Sequence, residues 1–419
     1  MLAGAGKATL AFGDILPFDG FDGVLHPLYV RVLVLETQNS VQARSRVCLV
    51  SVEATSLKQP AVTSLRSIAA QIAQCGIESV WVCVTHTFSA PHIRTPEHLI
   101  SQEDGEKNDR LIRTYKIAVK KAVAQAVGSM QKARFSWGIA PAEINVNRDI
   151  KTPAGWWLGA DSEGYSNHEV RVLTVMAQKS GRPLAIIFSA DVQSSVLDHS
   201  VTSEGKHLVS GDLAGFAASA IEHTYADSVA LFLVGCAGDQ APLKKAVVQK
   251  VDTDGCITST DIHEKAYKAI QQLGNILACA VQQVVHQGMP FKVETVWTES
   301  HTLMLPGQQK IDFDALGPTE RMTFESSDSR VTEIFYMRLG EMVLLGIKPE
   351  ISSALGEKIR DACDKRSLLI VTMVNGAQKY LPDADAYEKI TYEAMNSYFA
   401  QGSDELLVQD AIKTIMRNA

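Results

Sequence analysis

The sequence predicts an α/β fold in which a large mixed β-sheet core is covered by helices on both sides. Short β-branched runs alternate along the chain with longer amphipathic stretches, which is typical of this class. Several of the short runs, such as VWVCV at 80–84 and VALFLV at 229–234, are apolar at every position. Because a strand of this kind needs both of its faces covered, we expect helices on either side of the sheet.

The elements follow from these two patterns in chain order. The β-branched runs predict strands at 28–36, 47–53, 79–85, 134–139, 170–175, 184–190, 229–234, 291–297, 334–339, 342–347 and 368–373. The amphipathic stretches predict helices at 61–74, 110–131, 214–223, 264–286, 352–364, 385–395 and 404–416. Polar or glycine-rich segments predict loops at 95–108, 147–167, 193–210, 247–260 and 305–328.

The length permits more than one domain organisation. The chain has 419 residues, which allows two or three domains of roughly 150 residues or one large unit. No segment has the composition of a linker, so we expect residues 1–419 to form a single α/β unit. With 46% hydrophobic and 21% charged residues, the composition excludes disorder or a coiled coil as the dominant state.

Charge and cysteine content narrow the partners and the compartment. The formal net charge is -7 and no run of Lys and Arg occurs, so nucleic acid is not expected as a partner. The seven cysteines lack CxxC spacing, which indicates reduced thiols. The N-terminus does not resemble a signal peptide, and no apolar run approaches the ~20 residues that cross a bilayer. We therefore expect a cytoplasmic protein without an integral membrane segment.

Polar side chains follow several of the buried strands, at the point where each strand ends. His86, Asp191, Glu350 and Tyr380 all come after such strands. Ligands bind beyond the carboxyl ends of strands in sheets of this kind, so strands that share a direction would bring these residues together. One imidazole, two carboxylates and a phenol would form a ligand set for zinc or a similar divalent ion.

Each of these four residues also has a purely structural explanation. His86 would be a satisfied structural histidine, and Asp191 would cap the following turn. Glu350 precedes a predicted helix, whose N-terminus favours a carboxylate without any catalytic role. Tyr380 would simply pack in the core. The residues alone therefore leave the shared site open.

Motifs of several other enzyme classes are absent. No GxGxxG follows the first strand, no GxSxG elbow occurs, and no HExxH is present. The segment GDLAG at 211–215 lacks the lysine of a P-loop. Dinucleotide-binding enzymes, α/β-hydrolases and HExxH zinc proteases are therefore disfavoured.

A series of short motifs resembles the neutral/alkaline (non-lysosomal) ceramidase family, in the same order along nearly the whole chain. The matching segments are 26–31 (HDPLYAR in the family), 85–91 (THTHSGP), 147–148 with 169–170 (NR…EV), 210–217 (SxDxxGYA), 235–242 (GxxGDVSP), 346–350 (GxPGE), and 380–382 with 387 and 392–394 (YxTxxEY…YEA). The resemblance implies the fold of the catalytic N-terminal domain of these ceramidases. Their C-terminal β-sandwich is expected to be absent.

The resemblance also implies a metal site. In the family two His, one Glu and one Tyr hold zinc, and His86, Glu350 and Tyr380 match three of these ligands. At the position expected for the second His the sequence has Asp191, which would favour Mn, Mg or Fe more than a His does. Arg148 and Tyr392 match residues that contact the substrate in the family.

Two positions depart from the family pattern. Phe88 replaces the second His of THTHSGP, and Ala241 replaces the Ser of GDVSP. Alanine cannot attack, donate or accept, so a mechanism that needs a serine at this position is excluded. A metal-activated water needs no serine, because the ion lowers the water pKa from ~15.7 towards ~7.

The leading hypothesis is a metal-dependent hydrolase that cleaves an amide bond of a small-molecule N-acyl substrate, with ceramide itself not expected. The alternative is a non-catalytic or vestigial ligand-binding protein on the same scaffold, because the polar groups are lost at Phe88 and Ala241. A lyase or isomerase that uses the metal only as an electrophile is a third hypothesis. The sequence does not indicate the oligomeric state.

Overall fold

The computed structural model of the chain describes residues 1–37, 45–363 and 367–417. The strands are β1 (Leu2–Leu10), β2 (Gly23–Val24), β3 (Leu28–Glu36), β4 (Arg46–Val52), β5 (Val80–Val84), β6 (Gln131–Pro141), β7 (Asn145–Thr152), β8 (Gly155–Asp161), β9 (Glu169–Ala177), β10 (Pro183–Ala190), β11 (Leu208–Val209), β12 (Val229–Val234), β13 (Gln240–Pro242), β14 (Val247–Val251), β15 (Ile257–Asp261), β16 (Met289–Phe291), β17 (Val296–Gln308), β18 (Ser326–Leu339), β19 (Met342–Ile347), β20 (Glu350–Ile351), β21 (Leu368–Val371) and β22 (Tyr380–Leu381). The helices are α1 (Ala61–Ala73), α2 (Gln102–Gly128), α3 (Asp212–Thr224), α4 (Tyr267–Gln287), α5 (Ser353–Cys363), α6 (Ala384–Lys389), α7 (Tyr392–Met395) and α8 (Ser403–Arg417).

The centre of the fold is a nine-stranded mixed sheet with the order β12-β10-β9-β6-β1-β3-β4-β5, and β16 lies beside β6. Two of its pairs are parallel, β10 with β12 and β4 with β5. The sheet curls, since the Ser51 hydroxyl of β4 donates a hydrogen bond of 2.7 Å to the Phe232 carbonyl of β12 near the far end of the order. A second sheet has the order β17-β18-β19-β21.

Successive side chains of the central strands point to opposite faces of the sheet, so the strands separate two apolar layers. On β3, Val30, Val32 and Val34 face a core formed with α1, α2, α3 and α4. Leu33 and Leu35 of the same strand face the opposite core, which the second sheet completes. Helices α5 and α8 cover the outer face of that second sheet. The predicted class, a mixed sheet core with helices on both sides, is confirmed, and the core contains two sheets packed face to face.

Most predicted elements agree with the structure, and the differences have local causes. The predicted helix at 385–395 is two helices, because Ile390 adopts a left-handed φ of 57° that ends α6. Thr391 then caps α7 by accepting a hydrogen bond from the Ala394 amide. The predicted loop at 147–167 contains β7 and β8, so the loop prediction is wrong there. Residue 364, the predicted end of α5, lies outside the described residues.

Other expectations concern membranes and cysteines. Within the described ranges, no helix is both long and apolar enough to cross a membrane. All seven cysteines are free. Cys48, Cys83, Cys236 and Cys363 are buried, whereas Cys256 and Cys279 are exposed. No disulfide occurs among the described residues, and Cys256 and Cys279 lie at the surface.

Strand β1 was not predicted, because its sequence LAGAGKATL carries small residues in place of a β-branched run. The structure explains these small residues by the close approach of α2. A Cβ on Gly4 would meet the backbone oxygen of Ala126, and a Cβ on Gly6 would meet that of Ala122. The two glycines therefore let the helix lie directly on the strand.

We expect Gly6→Ala to lower the free energy of unfolding by about 1–3 kcal/mol, because the new methyl group collides with backbone that cannot rotate away. Gly128→Ala at the end of α2 is the matched control. A Cβ there meets nothing within 4 Å, and alanine is the better helix former by up to about 1 kcal/mol. Chemical denaturation of both variants checks the prediction, and equal stability of the two would contradict it.

Candidate active site at the strand ends

His86 is held in a single orientation directly after β5. It has a left-handed φ of 57° and is 4% exposed. Its Nδ1 lies 2.6 Å from the Thr55 carbonyl oxygen, which can only accept, so Nδ1 carries the proton. The other nitrogen, Nε2, is buried without a hydrogen-bond partner among the described residues. That nitrogen lies 3.1 Å from Oε2 of Glu350.

Glu350 lies on β20, which pairs in parallel with β22 so that Glu350 is opposite Tyr380. Its Oε2 also accepts a hydrogen bond of 3.0 Å from Nε2 of Gln193. Burial raises the pKa of Glu350, but the neighbouring His86 outweighs it, and the pKa is lowered. The pKa of His86 is raised, because Glu350 outweighs the opposite effect of burial. The two groups therefore stabilise opposite charges on each other.

The buried guanidinium of Arg148 joins the remaining groups. It donates hydrogen bonds of 2.7 Å to Oε1 of Gln193 and to Oε1 of Glu393. It also lies 5.3 Å from the ring centre of Tyr380 and 5.6 Å from that of Tyr392. Arg148 stands on β7, in the segment that the sequence predicted to be a loop, and the strand hairpin fixes its direction.

The structure thus brings together five of the residues singled out from the sequence, His86, Arg148, Glu350, Tyr380 and Tyr392. Asp191 makes different contacts. Its Oδ1 accepts from the Cys236 amide at 2.8 Å, and its Oδ2 accepts from Asn167, Ser353 and Arg360 at 3.1–3.2 Å. These bonds engage both carboxylate oxygens, so Asp191 has the surroundings of a structural ion pair, and as a metal ligand it stays a prediction.

Gln193 lies beside Glu350, at the position where the sequence predicted Asp191. It follows the same strand, β10, and lies two positions further along the chain. Its amide connects Glu350 to Arg148, and it is 1% exposed. The sequence did not single out Gln193, because only the residue directly after the strand was considered as a site residue. The available signal was a large polar side chain in the segment directly after β10.

The donor atoms around His86 and Glu350 determine whether this cluster fits a metal ion. No group of three or more His, Cys, Asp or Glu side chains suited to an ion occurs among residues 1–37, 45–363 and 367–417. The assembled set contains one His and one Glu, and its other members are the Tyr380 phenol and the Gln193 amide. Nε2 of His86 lies 3.1 Å from the Glu350 carboxylate oxygen, which is the spacing expected of two ligands around one ion with bonds of about 2.0–2.2 Å. The set therefore fits a divalent ion, with oxygen as the main donor.

A cavity of about 280 Å³ adjoins this cluster. Glu350 and Tyr380 line it together with Asp149 and Glu393. Trp156 also lines it, and the Lys389 ammonium lies 4.8 Å from the Trp156 ring centre. A small organic molecule would fit in the cavity beside the cluster.

The two departures from the family motifs have clear structural positions. The ring of Phe88 packs edge-on against His86, with 4.6 Å between ring centres. Ala241 is buried on β13, opposite Val146 of β7. Phe88 therefore helps to fix the imidazole, and Ala241 contributes only packing.

Solved ceramidase structures are similar in fold to this chain. No protein-family model matches the sequence, and no curated protein matches it. The solved neutral ceramidase from Pseudomonas aeruginosa matches with a TM-score of 0.72 and 15% identity, over 99% of this chain and 74% of that chain. A ceramidase complexed with C2 also matches with a TM-score of 0.72 and 15% identity, over 100% of this chain and 75% of that chain. The chain has the neutral-ceramidase fold, and the resemblance predicted from the sequence is confirmed for the fold.

We expect Asp191→Asn to lower the free energy of unfolding by about 3 kcal/mol, because it removes the buried partner of Arg360 and leaves it only the more exposed Glu357 among the described carboxylates. The side chains of Asp191 and Arg360 are both only 6% exposed. Asp410→Asn is the matched control, since the His301–Asp410 pair is 33% and 26% exposed and is expected to contribute less than about 1 kcal/mol. Equilibrium urea denaturation measures both values, and an equal loss in the two variants would argue against a structural role for Asp191.

We expect the stability of Asp149→Asn relative to the natural protein to increase with pH. Burial and the charge of Glu393 raise the pKa of Asp149 well above its ordinary value of 3.8. Above pH 3.8 the folded protein retains a proton that the unfolded chain has lost, so the natural protein loses stability as pH rises. The asparagine variant avoids this loss, which is at most about 1.4 kcal/mol per pH unit. Thermal unfolding between pH 4.5 and 6.5 measures the difference, with exposed Asp14→Asn as the control. A difference independent of pH would contradict the assignment.

Proposed function

We propose that the protein is a hydrolase of amide bonds that acts on a small N-acyl substrate with a metal-activated water. The observation that carries this proposal is the Nε2 nitrogen of His86, fixed 3.1 Å from the Glu350 carboxylate, which lines a cavity. The likeness of the fold to solved ceramidases supports an amide as the bond that is cleaved. The substrate and the compartment, which we take to be the cytoplasm, are parts of the same proposal.

The metal would be held by His86, Glu350 and Tyr380, and Gln193 would position Glu350, because its amide nitrogen donates to Glu350 while its oxygen accepts from Arg148. When bound, a divalent ion lowers the pKa of water from ~15.7 towards ~7 and polarises a carbonyl group. This ligand set is richer in oxygen than one with two His, which favours Mn, Mg or Fe alongside Zn. The Nδ1–H bond to Thr55 keeps Nε2 of His86 free as a donor.

Arg148 and Tyr392 are suited to orient the substrate. Burial lowers the pKa of Arg148, but the neighbouring Glu393 and Tyr380 raise it well above its usual value, so the guanidinium keeps its charge. The Tyr392 hydroxyl accepts a hydrogen bond of 3.0 Å from Asn396, which leaves its own proton to donate. Both groups would donate to the acyl carbonyl oxygen, where negative charge develops during hydrolysis.

The experiment combines metal content with turnover in the purified full chain. The protein is treated with a chelator, reloaded with Zn, Mn, Mg or Fe(II), and assayed against a panel of N-acyl amines and esters. We expect about one equivalent of metal and hydrolysis that chelation abolishes. His86→Ala is expected to lose bound metal and to lower activity roughly 100-fold or more, because even partners of a ligand can contribute 10–100-fold.

His98→Ala is the matched control, since its side chain is 66% exposed and lies outside the site. It is expected to keep both metal and activity. Gln193→Ala should weaken metal binding by about 10- to 100-fold, and unchanged affinity in that variant would show that Gln193 does not position Glu350. One equivalent of metal retained by His86→Ala would remove the whole ligand assignment.

A second candidate function is ligand binding without catalysis on the same scaffold. The observation that favours it is the chain of polar contacts from Glu350 through Gln193 and Arg148 to Glu393, in which the side chains already pair with one another. The absence of any nucleophile at Ala241 agrees with it. Absence of bound metal after reloading, together with no turnover of any substrate, would support this candidate over the hydrolase.

A further inference from the structure

The cavity beside Glu350 and Tyr380 carries an excess of negative charge. Seven Asp and Glu carboxyl groups line it, against the one lysine, Lys389, among its described lining residues. Some of these carboxylates have partners within the protein. Asp385 pairs with Lys389 at 2.9 Å, and Asp383 caps α6 and accepts from the Ser352 hydroxyl at 2.9 Å. These two therefore belong to the structure of the rim.

Asp149 and Glu393 form a buried pair of carboxyl groups, in which burial, the charge of Glu393 and a hydrogen bond between the two raise the pKa of Asp149. Glu393 is 2% exposed. Its Oε1 accepts from Arg148, but Oε2 has no hydrogen-bond partner within the described residues. Oδ1 of Asp149 is likewise buried, and no other described residue donates to it, so the proton that Asp149 retains is shared within the pair. A buried carboxylate oxygen without a donor is unfavourable, so this wall of the cavity is suited to receive a group that donates hydrogen bonds and carries positive charge.

The size and the other walls of the cavity distinguish between kinds of cation. Its volume of about 280 Å³ far exceeds what a single metal ion needs. Aromatic rings of Trp156, Tyr165 and Tyr380 form part of its lining, and such rings attract organic ammonium groups. The protein's own ammonium, that of Lys389, already lies 4.8 Å from the Trp156 ring centre at the rim. These features favour an alkylammonium group over a divalent ion.

We propose that this cavity binds an organic ammonium group through Asp149 and Glu393, so that the substrate is an N-acyl compound with a second, cationic amine. The N-acyl part rests on the proposed function, whereas the ammonium site stands on the cavity alone. The ammonium donates hydrogen bonds to Oδ1 of Asp149 and Oε2 of Glu393, and any proton that these carboxyl groups hold is released to solvent.

The binding test needs no turnover. Calorimetric titration of the full chain with 1,4-diaminobutane and with n-butylammonium is compared with titration by 1-butanol and by Mg²⁺ alone. We expect both ammonium compounds to bind at least about 10-fold more tightly than the neutral alcohol. Equal binding of 1-butanol would overturn the proposal. Mg²⁺ that displaces the ammonium compounds at micromolar concentration would overturn it as well.

Asp149→Asn is the diagnostic variant, because it leaves the hydrogen bonds of Arg148 in place. We expect it to weaken ammonium binding at least 10-fold while it raises stability near neutral pH, a combination that unfolding cannot produce. Glu393→Gln should show the same loss of binding. Glu103→Gln is the control, since this side chain is 72% exposed on α2, and it should bind as the natural protein does. Unchanged binding in Asp149→Asn would overturn the ammonium site.

Turnover separates this inference from the proposed function. With the metal-loaded enzyme, an N-acyl diamine is compared with the N-acyl alkylamine of the same length. We expect the diamine derivative to have a kcat/KM at least 10-fold higher, and equal values would overturn the inference while the hydrolase stands. Ammonium binding without hydrolysis of any amide would support the cavity assignment and count against the hydrolase.

Discussion

The buried guanidinium of Arg148 is the interaction on which the candidate site depends. Its hydrogen bonds reach Gln193 after β10 and Glu393 on α7, and its face lies over rings from β22 and α7. Four separate parts of the chain are thereby fixed around one charge. Since a buried charge is stable only when it is paired and hydrogen-bonded, none of these partners can move independently.

The two-sheet core explains why this charge can be held so precisely. Strands β5 and β10 end near the site from the large sheet, and β19 leads into β20 from the second sheet. Each strand is fixed by its neighbours and by apolar layers on both faces. His86, Gln193 and Glu350 therefore meet at the junction of the two sheets, and the polar hairpin of β7 and β8 supplies Arg148 and Asp149 from the side.

The cavity combines features that favour function over stability. Burial raises the pKa of Asp239 to about 7 and, together with Glu393, raises that of Asp149. Carboxyl groups with raised pKa values reduce the stability of a protein near neutral pH. Retaining these two around one cavity is therefore a cost in stability, which the proposed cationic ligand would offset on binding.

The sequence by itself determined the class of fold and the ends of the buried strands, because the periodicity of apolar residues is a local property. It also singled out His86, Arg148, Glu350, Tyr380 and Tyr392, since short motifs are local too. Only the tertiary structure brought in Gln193, because its partner Glu350 lies 157 positions away along the chain. It also separated Asp191 from the site by giving it Arg360, and it gathered the carboxylates around one cavity. These outcomes depend on which strands become neighbours, and no local pattern encodes that order.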